Sequence, residues 1–193
     1  MEKRKVLILD AHPGSDPGHF VHALAEAYAG AANEAGHEAR RIVLAQLDFP
    51  LVREPKDWLE GAPPPAIAAA QADIEWAEHV VILYPLWLGD VPALLKGFLE
   101  QALRPGFAFA YGSKGLPKKL LKGRSARVVV TMGMPSLFYR LVYGAHSVKS
   151  LERNVLKFVG FKPVERTLVG KVEDEEQRGA ALDEMRKLGS RAE

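Results

Sequence analysis

The chain has 193 residues, 48% hydrophobic and 26% charged, which is enough for one domain with a sizeable core and too apolar for long-range disorder. Its formal net charge of +2 does not mark a nucleic-acid binder. It has no cysteine, which excludes a disulfide framework, a thiolate metal site and a catalytic thiol, and no apolar run approaches the length of an integral membrane segment.

Val6-Leu7-Ile8-Leu9, bounded by Lys5 and Asp10, reads as a buried strand. The run is too short for a signal-peptide core, so a cytoplasmic protein is the default expectation. The loop Ala11 to Gly18 is rich in turn residues. Phe20 to Ala35 then has helical spacing, with Phe20, Leu24, Ala27 and Ala31 on one face and Gly36 as the stop. Arg40 to Leu47 reads as a strand around Ile42-Val43-Leu44. Phe49 to Pro65, rich in Pro, Trp and charge, reads as irregular, and Ala66 to Ala77 as helix. Val80 to Tyr84 is the clearest buried strand. Pro85 to Asp90 breaks it, and Pro92 to Leu103 returns to helix with a proline in the favoured first turn. The densest basic stretch, Lys114 to Arg127, reads as a solvated loop. Val128 to Thr131 is a further strand, Ser147 to Val159 a helix stopped by Gly160, Pro163 to Val169 the last strand, and Glu173 to Leu188 an amphipathic closing helix.

This alternation predicts a single α/β domain over 1–193, a doubly wound five-stranded parallel sheet of order 2-1-3-4-5 with helices on both faces. Such sheets bind ligands beyond the strand C-termini, at the switch point between strands 1 and 3. Three loops are thereby nominated. His12 to Gly18 enters a helix whose N-terminus suits a phosphate; it has no Lys or Arg, leaving His12 or His19 to add a hydrogen bond or a charge. Tyr84 to Pro92 makes a stiff apolar wall for a flat aromatic ligand. Thr131 and the N–H groups after it would meet the polar edge of a ring; Phe138, Tyr139, Tyr143 and His146 follow closely, and a Tyr and a His near a ring stabilise developing negative charge. Each has a plainer reading as well: an ordinary βα loop, a core-packing loop and a buried aromatic cluster. The Gly-x-Gly dinucleotide fingerprint, the P-loop and the Gly-x-Ser-x-Gly elbow are all absent. His19 and His22 share a helical face without a third metal ligand, so His22 reads as structural or surface. His37 and His79 read as surface or boundary residues.

Ala11-His12-Pro13, Tyr84-Pro85-Leu86-Trp87, Val91-Pro92-Ala93-Leu94-Leu95-Lys96-Gly97-Phe98, Gly106-Phe107-Ala108-Phe109 and Thr131-x-Gly133 occur in that order on the expected loops. In this the chain resembles the NAD(P)H:quinone oxidoreductases of the flavodoxin-like fold, including the bacterial modulator-of-drug-activity type, over Val6 to about Val169. The resemblance implies a flavin cofactor, FMN or alternatively FAD, with NADPH or NADH as donor and a quinone as acceptor in ping-pong turnover. His12, Gly18, His19 and Phe20 would hold the flavin phosphate and ribityl chain. Pro85, Leu86, Trp87 and Leu88 would line the ring, their backbone groups bonding its edge, with Thr131, Met132 and Gly133 on the other side. Tyr139 and His146 would support the reduced flavin as catalytic residues. Phe109 and Tyr111 would reach the site of the partner in a homodimer, with Pro92 to Leu103 as a candidate interface. The chain departs from the family pattern at Pro17-Gly18-His19-Phe20-Val21, where the family often has Ser or Thr followed by Asn, and at Met132, the second position of the family's Thr-Thr-Gly. Two other roles fit the same fold: a flavodoxin-type electron carrier, and an ancillary or regulatory subunit of a potassium efflux system.

Overall fold

The computed structural model describes residues 2–111 and 117–193; Lys114 of the basic stretch lies outside them. In chain order the elements are β1 (Lys5–Asp10), α1 (Phe20–Glu34), β2 (Glu38–Val43), α2 (Pro55–Leu59), α3 (Pro65–Trp76), β3 (His79–Pro85), α4 (Ala93–Ala102), β4 (Phe109–Tyr111), β5 (Pro117–Lys119), β6 (Ser125–Thr131), α5 (Ser136–Leu141), α6 (His146–Ser150), α7 (Lys157–Val159), β7 (Val164–Val169) and α8 (Glu175–Arg191). The main sheet runs β2-β1-β3-β6-β7, with every neighbouring pair parallel. This is the expected order once the small antiparallel β4–β5 pair is set aside.

The strands are apolar at almost every position because both faces of the sheet are covered. Val6, Ile8, Val81, Leu83, Val129 and Val169 face α1 and α8. Leu7, Leu9, Val80, Ile82, Val128 and Val130 face the layer containing α3, α4 and the helical segment after Ala145. Full burial of each such side chain stabilises the fold by about 1.5–3 kcal/mol. Helix α1 buries Phe20, Val21, Leu24, Ala25, Tyr28 and Ala32, a stripe rotated from the expected one; Ala27 and Ala31 are only half-buried. The rotation follows from α8, which crosses α1 so closely that a Cβ on Gly189 would lie 2.3 Å from the Tyr28 carbonyl oxygen.

Several elements differ from the sequence reading. The segment read as irregular contains α2, a five-residue helix with proline at its start. The expected helix Ser147 to Val159 is three pieces, with a π-helical stretch Leu151–Leu156 between α6 and α7. Strands β4 and β5 have three residues each, and α5 has six, too few to show a period. The basic stretch is not simply a solvated loop: Leu121 is 3% exposed, and Arg127 lies within β6, paired with Glu165 and bonded to the Thr167 hydroxyl at 3.1 Å. His37 and His79 are core residues, 6% and 3% exposed. The His37 imidazole accepts the Arg4 N–H and meets the Ser190 carbonyl, because α8 closes over the N-terminal edge of the sheet. The Ser125 hydroxyl accepts from the Arg4 guanidinium at 2.8 Å and lies 2.7 Å from His79 Nδ1. Burial, with the Arg4 and Arg127 charges, pushes the His79 pKa down to about 3.

Candidate functional site

The C-terminal ends of β1, β3 and β6 lie side by side, joined by hydrogen bonds from Ala11 N–H to Leu83 O and from Leu86 N–H to Thr131 O. The three nominated loops therefore share one edge of the sheet. Beyond β3 and β6 a cavity of about 600 Å³ is lined by Leu86, Leu88, Met132, Tyr139, Tyr143 and His146, together with Gly89, Gly133 and Met134. That volume suits a small organic ligand.

The wall from β3 is a tight turn. Trp87 and Asp90 exchange backbone hydrogen bonds of 3.0 and 2.9 Å, and Leu88 and Gly89 between them have φ of 48° and 78°. Positive φ is ordinary for glycine but costs a leucine roughly 1–2 kcal/mol. The Leu88 side chain is fully exposed and Trp87 half-exposed. Leu88 stands between this cavity and a second groove bordered by Val91, Pro92, Lys96, Ser147 and Leu151. Pro85 has no N–H, and those of Leu86 and Trp87 already serve Thr131 and Asp90. The expectation that these residues bond a ring edge through their N–H groups therefore shifts to Leu88 and Gly89, which donate theirs to no described residue.

Thr131 and Met132 are buried at 5% and 4% exposure, and the Met132 N–H is used by Val169 O at 2.9 Å. Of the segment 131–133, Met132 and Gly133 line the cavity and Thr131 does not; a Cβ at Gly133 would meet nothing within 4 Å. Tyr139 is 1% exposed and its hydroxyl lies 2.7 Å from Ser147 Oγ. His146 is exposed, its imidazole laid against Gly144, where a Cβ would fall 2.6 Å from Nε2. Tyr143 and Gly89, not singled out as site residues in the sequence, also line the cavity. Phe109 and Tyr111 separate: Phe109 is 3% exposed and packs edge-on to Phe158, whereas Tyr111 is 62% exposed. Of the two, Tyr111 alone is exposed. Helix α4 likewise turns Leu95, Phe98 and Leu99 inward and presents Ala93, Lys96 and Glu100 outward.

The loop after β1 does not line the cavity but adjoins it: the His12 ring meets Trp87 edge-on, centroids 6.0 Å apart. His12 stacks on His19 at 3.7 Å. Gly14 N–H donates to His12 Nδ1 at 3.0 Å. Burial is the main cause that lowers the His12 pKa, and the charges of His19 and His22 add to it against the pull of the Gly14 backbone and Asp10. His12 is thus neutral at pH 7, and its Nδ1 lies 3.2 Å from the Gly14 carbonyl as well. Gly18 N–H is held by Asp16 Oδ1 at 2.8 Å, and Phe20 points into the core under the Arg178 guanidinium. Helix α1 has no side-chain cap and no acidic residue in its first turn, whereas α8 has both: Asp174 accepts from the N–H groups of Glu176 and Gln177. The His22 N–H is taken by the His19 carbonyl at 3.0 Å, whereas those of Phe20 and Val21 donate to no described residue and are left for a ligand.

Comparison with known proteins follows this geometry. A family model described as flavodoxin-like fold matches residues 4–188. The chain is 31% identical to NAD(P)H dehydrogenase [quinone] 1 of Rattus norvegicus, over 88% of this chain and 69% of that protein. It is 26% identical to an FMN-dependent NADH:quinone oxidoreductase of Nitratidesulfovibrio vulgaris, over 95% and 97%. Among solved structures, an NAD(P)H:quinone oxidoreductase from Methanothermobacter marburgensis superposes with a TM-score of 0.84 at 24% identity, covering 98% of this chain and 96% of that one.

Proposed function

The chain belongs to the flavodoxin-like fold family, and on that premise we propose that it is an FMN-dependent NAD(P)H:quinone oxidoreductase. The observation that carries this reading is the pairing of an apolar cavity beyond β3 and β6 with an uncapped helix start beside it, at the switch point of the sheet. FMN has the same two parts, a flat ring and a phosphomonoester. The residues fit it: a Cβ at Gly89 or Gly133 would meet nothing within 4 Å, which leaves room for a ring against the backbone, and no carboxylate caps α1 against an anion.

The loop His12 to Gly18, with the first-turn N–H groups of α1, would hold the phosphate. Leu86, Trp87 and Leu88 would cover the ring, and the Leu88 and Gly89 N–H groups would meet its polar edge. When bound, FMN supplies the redox chemistry, accepting two electrons from NAD(P)H and passing them to a quinone. His146, exposed at the cavity, would hold or deliver a proton at that edge, and Tyr139, its hydroxyl against Ser147, would brace the wall behind it. Leu88 and Tyr143, exposed at the cavity, would shield a bound ring from water.

The test is the visible spectrum of purified protein incubated with FMN and desalted. The expected result is retained flavin bands that bleach with NAD(P)H and return with a quinone, with parallel initial-rate lines. Failure to retain or to bind FMN on titration overturns the reading.

A further inference from the structure

Beneath the loop after β1, two cations share one buried carboxylate. We propose that this Asp10–His22–Arg41 cluster is a positioning device that fixes the loop and gives it a positive charge selective for the phosphomonoester of its ligand, a role the loop's own Lys- and Arg-free sequence does not supply. It rests on the flavin reading above and extends it to residues outside the cavity.

The argument is one of hydrogen-bond valence. Asp10 is fully buried, and its Oδ2 lies 2.7 Å from His22 Nδ1 and 2.5 Å from Arg41 Nη2. With an arginine donating to it, Asp10 is a carboxylate and can only accept. The other ring nitrogen, His22 Nε2, lies 2.9 Å from the Gly14 carbonyl, which also only accepts. Both nitrogens of His22 therefore donate, and the ring is an imidazolium. Swapping the ring's orientation would set two carbons against these oxygens instead.

At this cluster two cations meet a single buried carboxylate. Arg41 extends a second arm to Glu26 at 2.7 Å, but that carboxylate is 73% exposed and screened by water. The other groups facing the cluster are His12, held neutral, and His19 at the N-cap; Asp16 is exposed and engaged with Gly18 N–H. His22 is the third residue of α1, so its charge sits at the positive end of a helix dipole, where a cation is disfavoured, and the one buried anion beside it, Asp10, is shared with Arg41. A bound phosphomonoester is the anion that completes this arrangement. The same contacts fix the loop, since Gly14 is gripped at both ends, its N–H by His12 and its carbonyl by His22.

The experiment titrates the flavin-free, full-length chain with FMN and with riboflavin, which lacks only the phosphate, following flavin fluorescence. His22→Gln keeps a donor but removes the charge. FMN affinity should fall about tenfold or more, the scale of losing one nearby partly buried charge, while riboflavin affinity changes less than about twofold. If the wild-type chain binds FMN and its FMN-to-riboflavin ratio survives in His22→Gln, the device is overturned and the flavin reading stands. If neither flavin binds the wild-type chain, both fall. Nitrogen-15 NMR of histidine-labelled wild-type protein at pH 7.5 tests the charge without any variant: His22 protonated on both nitrogens supports the proposal, and a neutral tautomer overturns it.

Discussion

At the scale of single residues, the histidines divide by what surrounds them. His146 is at the solvent edge of the cavity, His12 and His22 organise the loop beside it, and His37 and His79 close the opposite edge of the sheet. His79 has a measurable consequence. Its pKa is about 3 in the folded chain against an ordinary 6.5, so between those values the unfolded chain binds a proton that the folded chain refuses. Proton uptake on unfolding makes stability rise with pH across that window and fall on acidification, and His12, also lowered, acts in the same direction. Urea midpoints measured at pH 7 and pH 4.5 should show the loss, and His79→Gln should reduce it; equal sensitivity in the variant would assign the acid lability elsewhere.

At the scale of elements, α8 carries an internal control. It contains Gly179 and Gly189, both helical. A Cβ at Gly179 would meet nothing within 4 Å, whereas at Gly189 it would strike the Tyr28 backbone. Gly179→Ala should stabilise the protein by about 0.5–1 kcal/mol through helix propensity alone. Gly189→Ala should destabilise it by about 1–3 kcal/mol, because α1 and α8 must separate. Denaturant unfolding of the two variants reads both signs, and the same sign for both would refute the close crossing of the helices.

At the scale of the whole molecule, the exposed apolar surface is concentrated. Leu137, Phe138, Leu141, Val142 and Tyr143 are 47–73% exposed and lie in and just after α5, beside the cavity. Patches of this kind mark association surfaces. As part of the proposed function, the active form would be a homodimer that covers this face and burial-matches Tyr111, rather than one built on α4, whose outer surface is polar. Sedimentation should give a mass twice the 21.2 kDa of the chain. A monomer at full activity would remove the dimer from the reading. No described helix is long and apolar enough to cross a membrane.

The sequence by itself determined the sheet, its order and the edge where the ligand loops meet. Short apolar runs bounded by turn residues have one stable solution when they alternate with amphipathic helices, and both faces of the sheet must be covered. It also put His12, Trp87, Leu88 and Gly133 on those loops, because the switch-point rule depends on chain order alone, whereas Tyr139 and His146, on α5 and α6, were nominated by the family resemblance. What only the tertiary structure decided is pairing at a distance. Asp10, His22 and Arg41 come from β1, α1 and β2, and no spacing in the chain announces that they share one proton-rich contact. Phe109 is buried against Phe158 while Tyr111, on the same face of the strand and edge-on to Phe109 at 5.4 Å, is exposed, a difference that a three-residue strand does not announce in its pattern. The strained turn at Leu88 is likewise a consequence of closing Trp87 onto Asp90, which the residue types do not reveal.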